Sequence, residues 1–192
     1  LTSPIIGIFF GYFLMKFIIR LFCNVSPSAV NKHFGRLQLV SAGFMAFSHG
    51  SNDAQKAMGV ITLALVSGGY LNTLDVPFWV VLACGLAMGL GTALGGWRVI
   101  RTLGHQMLQL QPVHGFAAET AATAVILGAS SLGLPVSTTH VISTSIMGVG
   151  ATKRLTAVRW GIARKIVMAW VFTLPMCSGI GWLTYKFITF FG

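Results

Sequence analysis

The chain has 192 residues, 55% of them hydrophobic and only 8% charged, with a formal net charge of +10 from 13 Lys and Arg against 3 Asp and Glu. A soluble domain carries roughly 25% charged residues, so this composition cannot cover a water-facing surface and excludes an ordinary soluble fold. The mean hydropathy is +0.80, and the basic residues mostly flank apolar runs, where they read as topology determinants and not as a nucleic-acid footprint.

In chain order, residues 4–22 form a first apolar run with Lys16 and Arg20 near its end, about the 20 residues a spanning helix needs. Residues 24–36 read as a polar connection. Residues 37–71 are apolar over more than one span, but "HGSNDAQKAMG", His49 to Gly59, interrupts them. A short turn at 72–77 lacks Lys and Arg. Residues 78–96 are a clean span in which Gly85 and Gly89, and Gly91 and Gly95, have GxxxG spacing. A connection at 97–111 carries Arg98, Arg101 and His105.

Residues 112–133 are mostly apolar but hold Glu119, and run into "GLPVSTTH", Gly133 to His140, and a second short apolar run at 141–151. A basic patch follows with Lys153, Arg154, Arg159, Arg164 and Lys165, and residues 166–191, with Pro175, form the last span. Placing Lys32, Arg36, Arg98, Arg101 and the patch on the cytoplasmic face puts 72–77 and the C-terminus outside. Residues 112–151 then start and finish on the same side, crossing twice or entering and turning back. The expected architecture is all-α and polytopic, one membrane domain over 1–192 with broken helices and a re-entrant hairpin. The chain begins at Leu1 with no cleavable signal pattern and is expected to be a piece of something longer. Cys23, Cys84 and Cys177 are far apart in sequence and read as small buried apolar residues.

Lipid cannot satisfy a free backbone amide or carbonyl, so irregular backbone at membrane depth survives only against protein or a cavity. The two interruptions therefore point to a solute path. In the first, Gly50 permits a turn, and Ser51, Asn52 and Asp53 are all favourable caps for a helix starting near Ala54. Their oxygens form a hard set suited to a small alkali cation, the bland alternative being a cap at the membrane surface. In the second, Pro135 ends one helix and Ser137, Thr138 and Thr139 begin the next. Hydroxyls and free amides at a helix N-terminus make an anion site, against a plain cap on a turn. Glu119 lies among small residues and must face a cavity or an ion unless it sits at the membrane boundary. Lys56 is open between a phosphate contact, a cation partner of Asp53 and a resting-state neutraliser of it. His49 and His140 are open between proton relay and structural hydrogen bonding. There is no GxSxG, Walker or GxGxxG pattern to support an enzyme.

Taken together, "SHGSNDAQKAMGVI" and "GLPVSTTHVISTSIMGVG", with "GFAAET" upstream of the second, resemble the inorganic phosphate transporter (PiT) family over most of the chain. The resemblance implies two inverted repeats with phosphate and coupling cations bound where they meet. This chain carries one copy of each motif and is similar to the C-terminal repeat. It implies phosphate ligands at Ser137, Thr138 and Thr139, phosphate or cation contacts at Asn52 and Asp53, and an essential carboxylate at Glu119. Where the family's first repeat reads "GANDVANA", this chain has Gln55 and Lys56 after Ala54.

The expected function is phosphate symport with Na+ or H+. Ser51, Asn52, Ser137, Thr138 and Thr139 face phosphate, and Asn52, Asp53 and Glu119 face the cation. No cofactor is expected beyond the coupling cation, and no nucleic acid. The partners are phosphate, the cation, the lipid of a cell membrane, and the missing N-terminal repeat or a second copy, with homo-oligomers open. The alternatives are a channel-like anion pore, a transporter of a related oxyanion, or a scaffold for a partner.

Overall fold

The computed structural model describes residues 2–101, 111–153 and 158–191. Among them are six helices and no strand: α1 (Thr2–Leu21), α2 (Pro27–Ser67), α3 (Phe78–Arg101), α4 (Pro112–Ser131), α5 (Thr138–Lys153) and α6 (Trp160–Phe191). Three stretches are long and apolar enough to cross a membrane, Thr2–Leu21, Phe78–Trp97 and Trp160–Phe190, matching the first, third and last spans expected from sequence.

The largest departure from expectation is α2. It is continuous for 41 residues and passes through Gly50 without a break. At 1.5 Å per residue it is about 60 Å long, roughly twice the thickness of a bilayer core. The polar connection expected over 24–36 is also mostly helix, because Pro27 sits at the first helical position, where its missing N–H costs nothing. Ser51, Asn52 and Asp53 are thus mid-helix residues and not caps. Their neighbours Ala54, Gln55, Lys56, Ala57 and Met58 all propagate a helix well. The chain leaves α2 through Gly69 at φ 77°, with Tyr70 N–H donating to the Leu65 carbonyl and Gly69 N–H to that of Val66.

The second expected break is present. Gly133 at φ 67° ends α4, with Leu134 N–H donating to the Ala129 carbonyl and Gly133 N–H to that of Ser130. This glycine-based C-cap satisfies the terminal carbonyls before Pro135 forbids continuation. Ser137 then starts α5: its carbonyl accepts from Val141 N–H, and its hydroxyl accepts from His140 N–H at 3.4 Å. Helices α4 and α5 form the hairpin that holds the site.

Helix α5 is the most enclosed element, with Val141 and every residue from Ser143 to Gly150 buried. It crosses α1 at Gly7 and Gly11, one turn apart. A Cβ on Gly11 would run into the Ser145 carbonyl, and one on Gly148 into the Ile8 carbonyl. Backbone therefore meets backbone, the close approach that small residues allow between membrane helices. Met15 and Ile18 of α1, Phe34 of α2, Ala117 and Ala118 of α4, and Ile146 and Met147 of α5 make the main core. Ala54 and Met58 of α2 pack separately against Val80 and Cys84 of α3. Cys84 is buried as expected, whereas Cys23 and Cys177 are exposed. Helix α6 joins the core at Ala163, with Ile162 and Ile166 alongside, and then extends away with its large apolar side chains uncovered. The expected connection over 97–111 begins as α3, which runs to Arg101, and His105 and Arg154 lie outside the described residues.

Candidate functional site

The middle of α2 faces the α4–α5 connection. Asn52 is 6% exposed, and its Nδ2 donates to the Val136 carbonyl at 3.1 Å and to Asp53 Oδ1 at 3.3 Å. Ser130, at the end of α4, donates to Asn52 Oδ1 at 3.4 Å. The Asp53 carboxylate accepts from Lys56 Nζ at 3.0 Å on Oδ1 and from the Thr138 hydroxyl at 3.1 Å on Oδ2. His49 Nε2 lies 3.5 Å from Oδ2. Lys56 Nζ also donates to the Val136 carbonyl at 2.6 Å.

These contacts explain why α2 does not break. A capping side chain competes with the helix when its oxygen bonds a nearby backbone amide. Here Asn52 and Asp53 are occupied by a loop some 80 residues away in sequence, so the local amides keep their helical partners. His49 and Lys56 stand four residues before and three after Asp53, spacings that place all three on one helix face.

Asp53, Lys56, Pro135, Val136, Ser137, Thr138 and Thr139 line an open cleft of about 300 Å3. The N-terminus of α5 opens into it, and its first amides lack intrahelical partners and carry partial positive charge. Three hydroxyls, free amides and an ammonium against a single carboxylate make a surface able to hold a small oxyanion. Thr138 is 2% exposed and ties the cleft wall to Asp53, while Ser137 is half-buried and Thr139 exposed.

The structure brings together Asn52, Asp53, Lys56, Ser137, Thr138 and Thr139. Ser51 is half-buried on α2 next to this group but outside the cleft lining. Glu119 is not in the cleft. It lines a larger, mostly apolar cavity of about 830 Å3 between α2 and α3, with His49, Gly50 and Thr92 among its walls, and it accepts a hydrogen bond from the Ser41 hydroxyl. His49 touches both places, contacting Asp53 and lining the Glu119 cavity. His140 lies against Trp170, the ring centroids 3.9 Å apart and the planes tilted by 34°.

Ser41, Ser130 and the Val136 carbonyl were not anticipated from the sequence. Ser41, Ser48 and Asn52 lie at i, i+7 and i+11, a polar stripe of helical period through an apolar run, and all three are buried.

The profile of the phosphate transporter family matches residues 24–181, taking in α2, the hairpin and most of α6. The chain belongs to the phosphate transporter family. Among family relatives, a Bacillus subtilis protein named "Probable low-affinity inorganic phosphate transporter" is 44% identical over 96% of this chain and 56% of its own length. One of the same name from Rhizobium meliloti is 47% identical over 95% of this chain and 55% of its own. The chain thus spans about half the length of the curated relatives it matches. A solved structure titled "The sodium-dependent phosphate transporter" superposes with a TM-score of 0.68 at 33% identity, covering 83% of this chain and 41% of that one. The matched proteins are transporters and not enzymes, and the apolar helices accord with a membrane protein.

Proposed function

We propose that this chain is one repeat of an inorganic phosphate transporter, a single membrane domain over 1–192 that takes up phosphate by cation symport across a cell membrane it spans several times. The observation that carries this reading is the cleft where the N-terminus of α5, Ser137, Thr138 and Thr139 meets Asn52, Asp53 and Lys56 of α2. Phosphate lies against the α5 amides and hydroxyls, with Asp53 and Lys56 lining the α2 side and Asn52 and Ser51 next to them on that helix. A bare carboxylate at Asp53 would repel a dianion, so a positive charge must stand between them. That requirement ties anion binding to cation binding. Glu119, beyond α2 in the larger cavity, is a second carboxylate at which the coupling cation, sodium or a proton, is held. His49, in contact with Asp53 and that cavity, joins the two places.

A neighbouring repeat of the complete protein closes the cleft, and rocking of the two repeats alternates access. The polypeptide beyond half-length in the relatives supplies room for it. The test is binding of labelled phosphate to the purified complete protein, with sulfate and arsenate as competitors. A Ser137→Ala, Thr139→Ala double substitution weakens binding if the cleft is the site. Unchanged binding in that variant would place phosphate elsewhere.

A further inference from the structure

Lys56 is the one charged side chain in the cleft whose role the reading above leaves open. Its surroundings assign one. An ionised carboxylate offers about four acceptor positions, and those of Asp53 are all approached by protein groups. Lys56 Nζ and Asn52 Nδ2 are at 3.0 and 3.3 Å on Oδ1, and Thr138 Oγ1 and His49 Nε2 are at 3.1 and 3.5 Å on Oδ2. Three of these are hydrogen bonds, and the Lys56 ammonium holds the place on Oδ1 for which a diffusible alkali ion would have to compete. The Lys56 ammonium meanwhile touches a carboxylate oxygen and a backbone carbonyl, Val136 O at 2.6 Å. Such oxygens are the donor set a small alkali cation takes.

We propose that Lys56 is a tethered cation: its ammonium occupies the position a monovalent ion would take at Asp53, so this repeat neutralises its own carboxylate and binds phosphate without recruiting an alkali ion there. The inference rests on the phosphate reading and deepens it by making Lys56 the residue that sets ion dependence at this carboxylate. Of the three ammonium hydrogens, two are committed to Asp53 and Val136. The third is free for an anion in the cleft that Lys56 lines. The ammonium thus bridges carboxylate and phosphate, as a bound metal ion would, but cannot leave with the substrate. The diffusible coupling ion is then carried at Glu119 or in the other repeat.

Loss of the ammonium leaves Asp53 uncompensated and reopens a cation position on it. The test is equilibrium binding of labelled phosphate to the purified complete protein, wild type, Lys56→Ala and Lys56→Gln. Media of equal ionic strength contain a bulky organic cation, sodium, potassium or ammonium. In the organic-cation medium the affinity of each variant is expected to fall about tenfold or more below wild type, as loss of a charge-assisted hydrogen bond allows. A small monovalent cation should restore at least half of that loss, and Lys56→Arg, which keeps the charge, should need no rescue. The Gln variant keeps most of the side-chain bulk, so a folding defect confined to Ala is separated from loss of charge. Variants that match wild type in the organic-cation medium would overturn the proposal, as would a loss that no small cation restores. If wild type itself binds no phosphate in any medium, the underlying phosphate reading fails, an outcome distinct from either.

Discussion

Replacing Asp53 by Asn removes a charge while keeping the shape of the side chain. The amide oxygen can still accept from Lys56, and its NH2 can donate to the Thr138 hydroxyl, so the contacts at 3.0 and 3.1 Å have neutral substitutes. What is lost is charge assistance. Hydrogen bonds to an ionised group contribute about 1.5–3 kcal/mol and neutral ones about 0.5–1.5. The Thr138 end is buried, so its bond is little weakened by water. The Lys56 end is 40% exposed and contributes toward the lower bound. The difference is about 1–2 kcal/mol, which corresponds to roughly 5- to 30-fold. The expected outcome is a fall of that size in the initial rate of labelled phosphate uptake by proteoliposomes of the complete protein, normalised to incorporated protein. A rate within about twofold of wild type would refute the reasoning, because differences that small correspond to less than one hydrogen bond.

Other expectations follow from the same geometry. Thr138→Val keeps the shape but removes the buried donor to Asp53 Oδ2; uptake should fall about fivefold or more, the effect of one unmade hydrogen bond to a charged group, and an unaltered rate would contradict it. Gly148→Ala puts a methyl group into the Ile8 carbonyl across the α1–α5 crossing; a loss of about 1–3 kcal/mol should lower the melting temperature in detergent, which an unchanged Tm would disprove. Gly133→Ala forces a side chain into φ 67°, costing about 1–2 kcal/mol, and should destabilise the protein despite the open space around that Cα. Glu119→Gln retains a partner for Ser41; it should leave equilibrium phosphate binding near wild type while reducing cation-driven accumulation, and equal losses of both would remove Glu119 from the cation role.

The three apolar spans and the α4–α5 turn were legible in the sequence because their causes are local. Apolar length marks α1, α3 and α6, and Gly133, Pro135 and Ser137 each carry their own backbone preference. The break at Gly50 was misread for the same reason. Ser51, Asn52 and Asp53 have strong local capping preferences, and nothing nearby in sequence announces that Val136 and Thr138 will engage Asn52 and Asp53. The pairing of Ser41 with Glu119 and the glycine crossing of α1 on α5 are likewise long-range. They depend on how helices settle against one another, which local pattern does not encode. The composition of the cleft was nonetheless visible as two motifs. The structure adds that Lys56 belongs to it and that Glu119 faces a separate cavity.

The most direct measurement is phosphate accumulation in proteoliposomes of the complete protein, with labelled phosphate outside and an imposed inward sodium or proton gradient. The account predicts uptake above the equilibrium level that collapses when the driving gradient is dissipated, and that is reached more slowly in Asp53→Asn. Equilibration of phosphate without accumulation, indifferent to either gradient, would show a passive pore and contradict cation-coupled transport.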